Sequence, residues 1–119
     1  MGFSAGGGIS VNIALQNDSL SRPDIVGGIY PGYRIATPIT NDIPPLFLAI
    51  TDDDSSVAPL SSARLYEEWH KMSLPVELHI FSAGKHSFGA KTQNLPSDSW
   101  IDLFKNWMKF QGFLPSVKN

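Results

Sequence analysis

Residues 46–51, LFLAIT, constrain the fold most, because the run is apolar almost throughout and leads into three consecutive aspartates. A strand with one wet face alternates apolar and polar residues. A run without alternation suits a parallel strand covered on both faces. Parallel strands need long crossovers, which helices usually supply. Residues 59–72 fit such a crossover. Pro59 with Ser61 or Ser62 can open a helix, Leu65, Trp69 and Met72 share a face, and Glu67 and Lys71 form an i,i+4 pair. Residues 75–81 (PVELHIF) then alternate, with Val76, Leu78 and Ile80 on one side.

The same rhythm extends both ways. Residues 5–16 predict a helix with Ile9, Ile13 and Gln16 at helical spacing. A loop at 17–23 leads to a short buried strand at 24–30 (DIVGGIY), weakened by Gly27 and Gly28, and then to a long loop at 31–45 with four prolines. Near the end, Ser99 and Asp102 resemble a capping box, and Trp100, Leu103, Phe104, Trp107 and Met108 belong to a last helix. Lys105 and Lys109 suit its dipole, and Gly112 suits its C′ position. This alternation predicts an α/β fold over residues 1–119 as a single domain, with about three parallel strands and flanking helices. The first helix has no predicted strand before it.

Composition narrows the function. The chain has 119 residues, 42% of them hydrophobic and 17% charged, which suits a globular domain with a real core. Its net charge is -2 and it has no basic run, which argues against nucleic acid as the main partner. No apolar stretch approaches the roughly 20 residues of a membrane span. With no cysteine, disulfides, thiolate metal sites and cysteine nucleophiles are excluded, and the compartment stays open. The first residues lack the basic and apolar regions of a signal peptide.

Gly2-Phe3-Ser4-Ala5-Gly6 fits the pattern G-x-S-x-G. In that pattern a serine occupies a sharp, strained strand-to-helix turn that exposes its hydroxyl. Side chains two residues to either side are expected to collide, which favours Gly2 and Gly6. The Ala5 N–H, at the start of the helix, then faces the oxyanion of an acyl transfer. Alone the pattern is weak, since a chain of this length meets it by chance about 4% of the time. A glycine-rich or phosphate-binding turn is the plainer reading, although no Gly-Lys-Ser/Thr follows.

A serine nucleophile needs a base, and the base needs an orienting acid. Asp52, Asp53 and Asp54 follow the apolar strand and compete for the acid role; capping a turn or binding a cation is the other use for them. Mutual repulsion is expected to raise the pKa of at least one. Of the three histidines, His70 lies within an amphipathic helix and reads as a surface residue, and His79 lies mid-strand and reads as structural. His86 lies in a loop flanked by Gly84 and Gly89 and is the expected base.

Taken together, GFSAGG, RPDIVGGIYPGY, PPLFLAITDDDSSVAP, LYEEWHKMSLPVELHIFSAGKHSFG and SWIDLFKNWMKFQGFL resemble the bacterial α/β-hydrolases of the acetylxylan and feruloyl esterase-like carbohydrate esterase group. The resemblance covers nearly the whole chain. In that pattern the catalytic Asp precedes a Val by three residues with a Pro soon after, which selects Asp54, before Val57 and Pro59, over Asp53 and then Asp52. It departs at Gly8, where the group often has His. The resemblance implies an acyl-enzyme mechanism on carboxylic esters, with acyl groups on carbohydrate as substrate. Ser4 is then nucleophile, His86 base, Asp54 its orienting acid and the Ala5 N–H an oxyanion donor, with no metal or organic cofactor. Tyr30, Tyr33 and Arg34 follow a strand, where they can border the substrate pocket or serve ordinary loop packing.

Such hydrolases carry about half their sheet, and a second oxyanion donor, before the elbow. Here the strand feeding the elbow is expected as Met1 alone. The expectation is therefore a partial α/β-hydrolase fold lacking the N-terminal half of its sheet. Losing one oxyanion donor costs about 10²–10³ in rate, so the isolated chain is expected to be weak or inactive. Its unpaired sheet edge is expected to invite self-association. Two other readings remain open at this point. One is a serine peptidase of the prolyl oligopeptidase type; the other is a non-catalytic truncated product or interaction module.

Overall fold

Every residue of Leu46–Thr51 is buried, as the unbroken apolar run requires. The computed structural model describes residues 1–16, 18–34, 39–40 and 42–116. In chain order its elements are β1 (Gly2–Phe3), α1 (Ala5–Leu15), β2 (Val26–Ile29), β3 (Leu46–Thr51), α2 (Pro59–Lys71), β4 (Val76–Phe81) and α3 (Trp100–Phe110), with a 3-10 turn at Pro96–Ser99 before α3. The strands form one sheet in the order β1-β2-β3-β4. All three pairings are parallel, with Gly2 beside Gly28, Gly28 beside Leu48 and Leu48 beside Leu78.

The sheet has four described strands rather than about three. Phe3 joins it beside Ile29, so the elbow is fed by a short paired strand and not by Met1 alone. The second strand is shorter than residues 24–30, because Tyr30 leaves the extended region at φ 40.

The side chains of β3 divide between two cores, with Ile50 in the same one as Phe47 and Ala49. Leu46 and Leu48 join Val11, Ala14, Val26, Leu65 and Trp69 from the side of α1 and α2. Phe47 and Ala49 join Ile29, Phe88, Trp100, Phe104 and Trp107 from the side of α3. Trp69 is completely buried, and its indole N–H donates to the Pro44 carbonyl at 2.9 Å, so the apolar ring leaves no orphaned donor. His79 lies against Phe47, with ring centroids 5.5 Å apart, and its Nε2 meets Glu77 Oε1 at 2.7 Å, a satisfied structural histidine. His70 is exposed and stacks on Tyr66.

Helix α1 turns a different face inward from the one its isoleucines suggest. Ile9 and Ile13 are 61% and 51% exposed, whereas Gly7, Gly8, Val11 and Ala14 are buried. The glycines explain the rotation. A Cβ on Gly8 would lie 3.2 Å from the Gly32 carbonyl carbon and closer still to its oxygen, so α1 packs backbone to backbone against that loop.

The other helix ends follow local chemistry. Lys71 Nζ lies 3.0 Å from both Glu67 and Glu68. Their carboxylates hold the Lys71 ammonium above its ordinary pKa, first through the Glu67 hydrogen bond. α3 closes in a Schellman motif, with Gly112 at φ 84, its N–H on the Lys109 carbonyl and the Phe113 N–H on the Met108 carbonyl. The capping box at Ser99 and Asp102 does not form. Ser99 is already helical, and its hydroxyl donates back to the Pro96 carbonyl at 3.0 Å. Ile80, expected to share the buried side of Val76 and Leu78, is 44% exposed on a strand with a described neighbour on one side only.

Because Phe47 is fully buried against Phe104 and Trp107, Phe47→Ala is expected to lower stability by about 3–5 kcal/mol in urea unfolding.

Candidate active site

The C-terminal ends of four parallel strands place loops on one edge of the sheet, and the chain's chemistry collects there. Ser4 follows β1 at φ 50 and ψ -119, a conformation that disfavours a side chain and costs of order 1–3 kcal/mol. Backbone hydrogen bonds hold it. The Ser4 N–H donates to the Ile29 carbonyl at 2.9 Å, and the Ser4 carbonyl accepts from Gly8 at 3.0 Å and Gly32 at 3.1 Å. A Cβ on Gly2 would lie 2.7 Å from the Gly7 nitrogen, so this turn excludes a side chain there. The collision expected at Gly6 is absent, since a Cβ there meets nothing within 4 Å among the described residues. Ala5 opens α1, where the first N–H groups have no partner within the helix.

The three separated segments meet in a line. Ser4 Oγ lies 2.9 Å from His86 Nε2, and His86 Nδ1 lies 2.8 Å from Asp54 Oδ2. The Asp54 side chain is fully buried, and its other oxygen accepts from the N–H groups of Ser56 and Val57, each at 2.8 Å. An ionised carboxylate only accepts, so neutral His86 carries its proton on Nδ1 and presents Nε2 to the Ser4 hydroxyl.

Asp53 has a separate task that the sequence did not reveal. Its Oδ1 accepts from the Lys85 N–H at 2.8 Å and its Oδ2 from the Gly84 N–H at 3.3 Å, while Thr51 Oγ1 donates to the Lys85 carbonyl at 3.2 Å. The end of β3 thus grips the loop just before His86. That loop needs a grip, since Lys85 and Ser87 have φ 60 and 64 on either side of the histidine. The repulsion expected within the aspartate cluster does not govern Asp53. The Lys85 N–H holds its carboxyl below the ordinary value.

Tyr30 packs against the reacting line itself. It is 4% exposed, at φ 40, with its ring edge against His86 and Phe88 at centroid distances of 4.9 and 4.7 Å. Burial pushes its phenol above the ordinary pKa, and the Asp54 charge adds to that rise. Tyr33 and Arg34 line a cleft of about 520 Å³ together with Ala58, Leu60, Ser61 and Arg64. The signal for Tyr30 and Asp53 was only their place directly after strands; their contacts come from the fold. Among the described residues no cluster of three or more His, Asp or Glu is placed to hold a metal, and no helix is long and apolar enough to cross a membrane.

No family model and no curated protein matches the chain. Solved structures do. An acetyl ester-xyloside bifunctional hydrolase from Caldicellulosiruptor lactoaceticus superposes with TM-score 0.83 at 27% identity, over 96% of this chain and 56% of its own. An α/β hydrolase enzyme from a Medee basin deep-sea metagenome library gives 0.76 at 29% identity, over 92% and 52%. A carboxylesterase from Lactobacillus plantarum shares the fold at 0.77 and 17% identity, over 97% and 58%. The chain spans about half the length of these structures, and over that half it has the fold of α/β-hydrolase esterases, to which it is structurally related.

Asp53 has a depressed pKa in the fold, so its contribution to stability is present above the unfolded value near 3.8 and lost as pH falls through the lower folded value. Asp53→Ala is expected to speed hydrogen exchange at the Gly84 and Lys85 amides at neutral pH. The stability difference between wild type and variant is expected to shrink below about pH 4, as followed by urea midpoints across pH.

Proposed function

We propose that the chain carries the reacting side chains of a serine hydrolase for carboxylic esters, with acyl groups on carbohydrate as the substrate class. The observation that supports it most is the unbroken line from Ser4 Oγ through His86 to the buried Asp54, at 2.9 and 2.8 Å. Ser4 attacks the acyl carbon while His86 Nε2 takes the hydroxyl proton, and Asp54 holds the tautomer and stabilises the imidazolium. The Ala5 N–H receives the charge that develops on the carbonyl oxygen. His86 returns its proton to the departing alcohol, then activates the water that releases the acid and restores Ser4. Side chains and backbone suffice for these steps, without a metal or organic cofactor. The carbohydrate assignment draws on the acetyl ester-xyloside hydrolase among the similar structures. The esterases among them favour ester over peptide substrates.

Among the described residues β1 pairs with β2 alone, and Met1, Phe3, Ile9 and Ile13 are exposed. This edge favours self-association of the isolated chain.

A fluorophosphonate probe reads Ser4 reactivity without full turnover. Labelling at Ser4 is expected in the wild type and its loss in Ser4→Ala. Asp54→Asn is expected to slow labelling by about 10³–10⁴-fold through loss of the required His86 tautomer. Equal p-nitrophenyl acetate hydrolysis by wild type and Ser4→Ala, together with no labelling, rejects the reading in favour of a non-catalytic module.

A further inference from the structure

Tyr33, Arg34, Ala58, Leu60, Ser61 and Arg64 line the cleft of about 520 Å³, and none of them belongs to the Ser4–His86–Asp54 line. A second cleft of about 300 Å³ shares four of these residues and adds Gly32, Ser56 and Val57. Arg34 follows β2 and Arg64 lies on α2, thirty positions later, yet the fold brings both into one wall. Both arginines are exposed, so water screens much of their mutual repulsion, and an anion entering the cleft is attracted by both. The nearest acids along α2, Glu67 and Glu68, are both engaged by Lys71 at 3.0 Å. Among the described residues no carboxylate pairs with Arg34 or Arg64. This positive lining stands out in a chain of net charge -2.

The remaining lining has matching chemistry. The Tyr33 phenol is an O–H donor at neutral pH, and burial pushes its pKa further up. Guanidinium groups offer planar paired N–H donors that fit a carboxylate. Leu60 and Ala58 add apolar surface for a carbon skeleton. The clefts also share structure with the reacting line. Gly32 donates to the Ser4 carbonyl, and Ser56 and Val57 donate to Asp54. This link to Ser4 and Asp54 runs through the smaller cleft, which Arg64 does not line; Tyr33 and Arg34 line both clefts.

We propose that Arg34, Arg64 and Tyr33 form a carboxylate-binding subsite that selects ester substrates bearing an acidic group, such as acidic sugars. The substrate part of this statement rests on the ester-hydrolase reading above; the binding part can be read without turnover. In an isotope-labelled Ser4→Ala chain, D-glucuronate is expected to shift the amide signals of Tyr33, Arg34 and Ser61 saturably, and D-glucose to leave them in place. Replacing both arginines, Arg34→Gln with Arg64→Gln, is expected to weaken the glucuronate titration by roughly tenfold or more. The pair Arg34→Lys with Arg64→Lys, which keeps the charge but loses the fork, is expected to recover part of it. Inorganic sulfate separates a carboxylate site from general anion attraction, and glucuronate is expected to bind the more tightly. Equal shifts with glucose, sulfate binding as tight as glucuronate, or unchanged binding in the double glutamine variant each overturns the proposal. Fluorophosphonate labelling of wild-type Ser4 reports the hydrolase reading separately, so either can fail without the other.

Discussion

The parallel pairing of β3 with a strand on each side is the interaction on which the rest depends. β3 runs from Leu46 beside Val26 and Val76 to Thr51 beside Phe81. Its register fixes where three loops emerge. The β2 loop carries Tyr30 and Gly32, the β3 turn carries Asp53 and Asp54, and the β4 loop carries His86. A one-residue slip would exchange the two buried faces of β3 and send Phe47 away from Phe104 and Trp107. Core packing and site geometry are therefore one constraint, because the side chains that set the register also set the distance from Asp54 to His86.

Strain gathers where those loops meet. Ser4, Tyr30, Lys85 and Ser87 all have positive φ, and all lie in contact with the Ser4–His86–Asp54 line or next to it in sequence. Each such residue costs of order 1–3 kcal/mol and persists only where its surroundings over-determine it. The surroundings do so with named bonds. Ile29, Gly8 and Gly32 hold Ser4, the Ala49 carbonyl accepts from Tyr30, and Asp53 and Thr51 hold Lys85. Among the described residues the other side chains at positive φ are Ser73, in the turn after α2, and Asn94, in the bend before the 3-10 turn.

What the sequence made legible follows from how local each signal is. LFLAIT announced a covered parallel strand because burial on both faces removes alternation within six residues. Ser4 stood out through the glycines of G-x-S-x-G, and His86 through its glycine-flanked loop after a predicted strand. Asp54 was separated from Asp53 by resemblance alone. Their different partners, His86 for one and the Lys85 N–H for the other, come from chain some thirty residues away. The face of α1 misled for the same reason. Ile9 and Ile13 have the right spacing for burial, but Gly7 and Gly8 let the helix backbone approach Pro31 and Gly32, and close approach buried the glycine side instead. β1 escaped notice because two residues beside glycine show no periodicity; only pairing with β2 makes them a strand.

The two neighbouring carboxylates show how one short turn can carry two functions. The Asp54 side chain is fully buried and bonded on both oxygens, one to backbone and one to the imidazole, so its geometry is fixed before any substrate arrives. Asp53 is exposed and spends its bonds on the backbone that delivers that imidazole. A charge in water is worth little as an ion pair, yet as an acceptor for two backbone N–H groups it can order a loop. The division explains why adjacent aspartates are tolerated. Each points at its own donors, Ser56, Val57 and His86 for Asp54 and Gly84 and Lys85 for Asp53. The site's precision therefore comes from backbone amides past the ends of parallel strands, Ser56 and Val57 after β3 and Gly84 and Lys85 after β4.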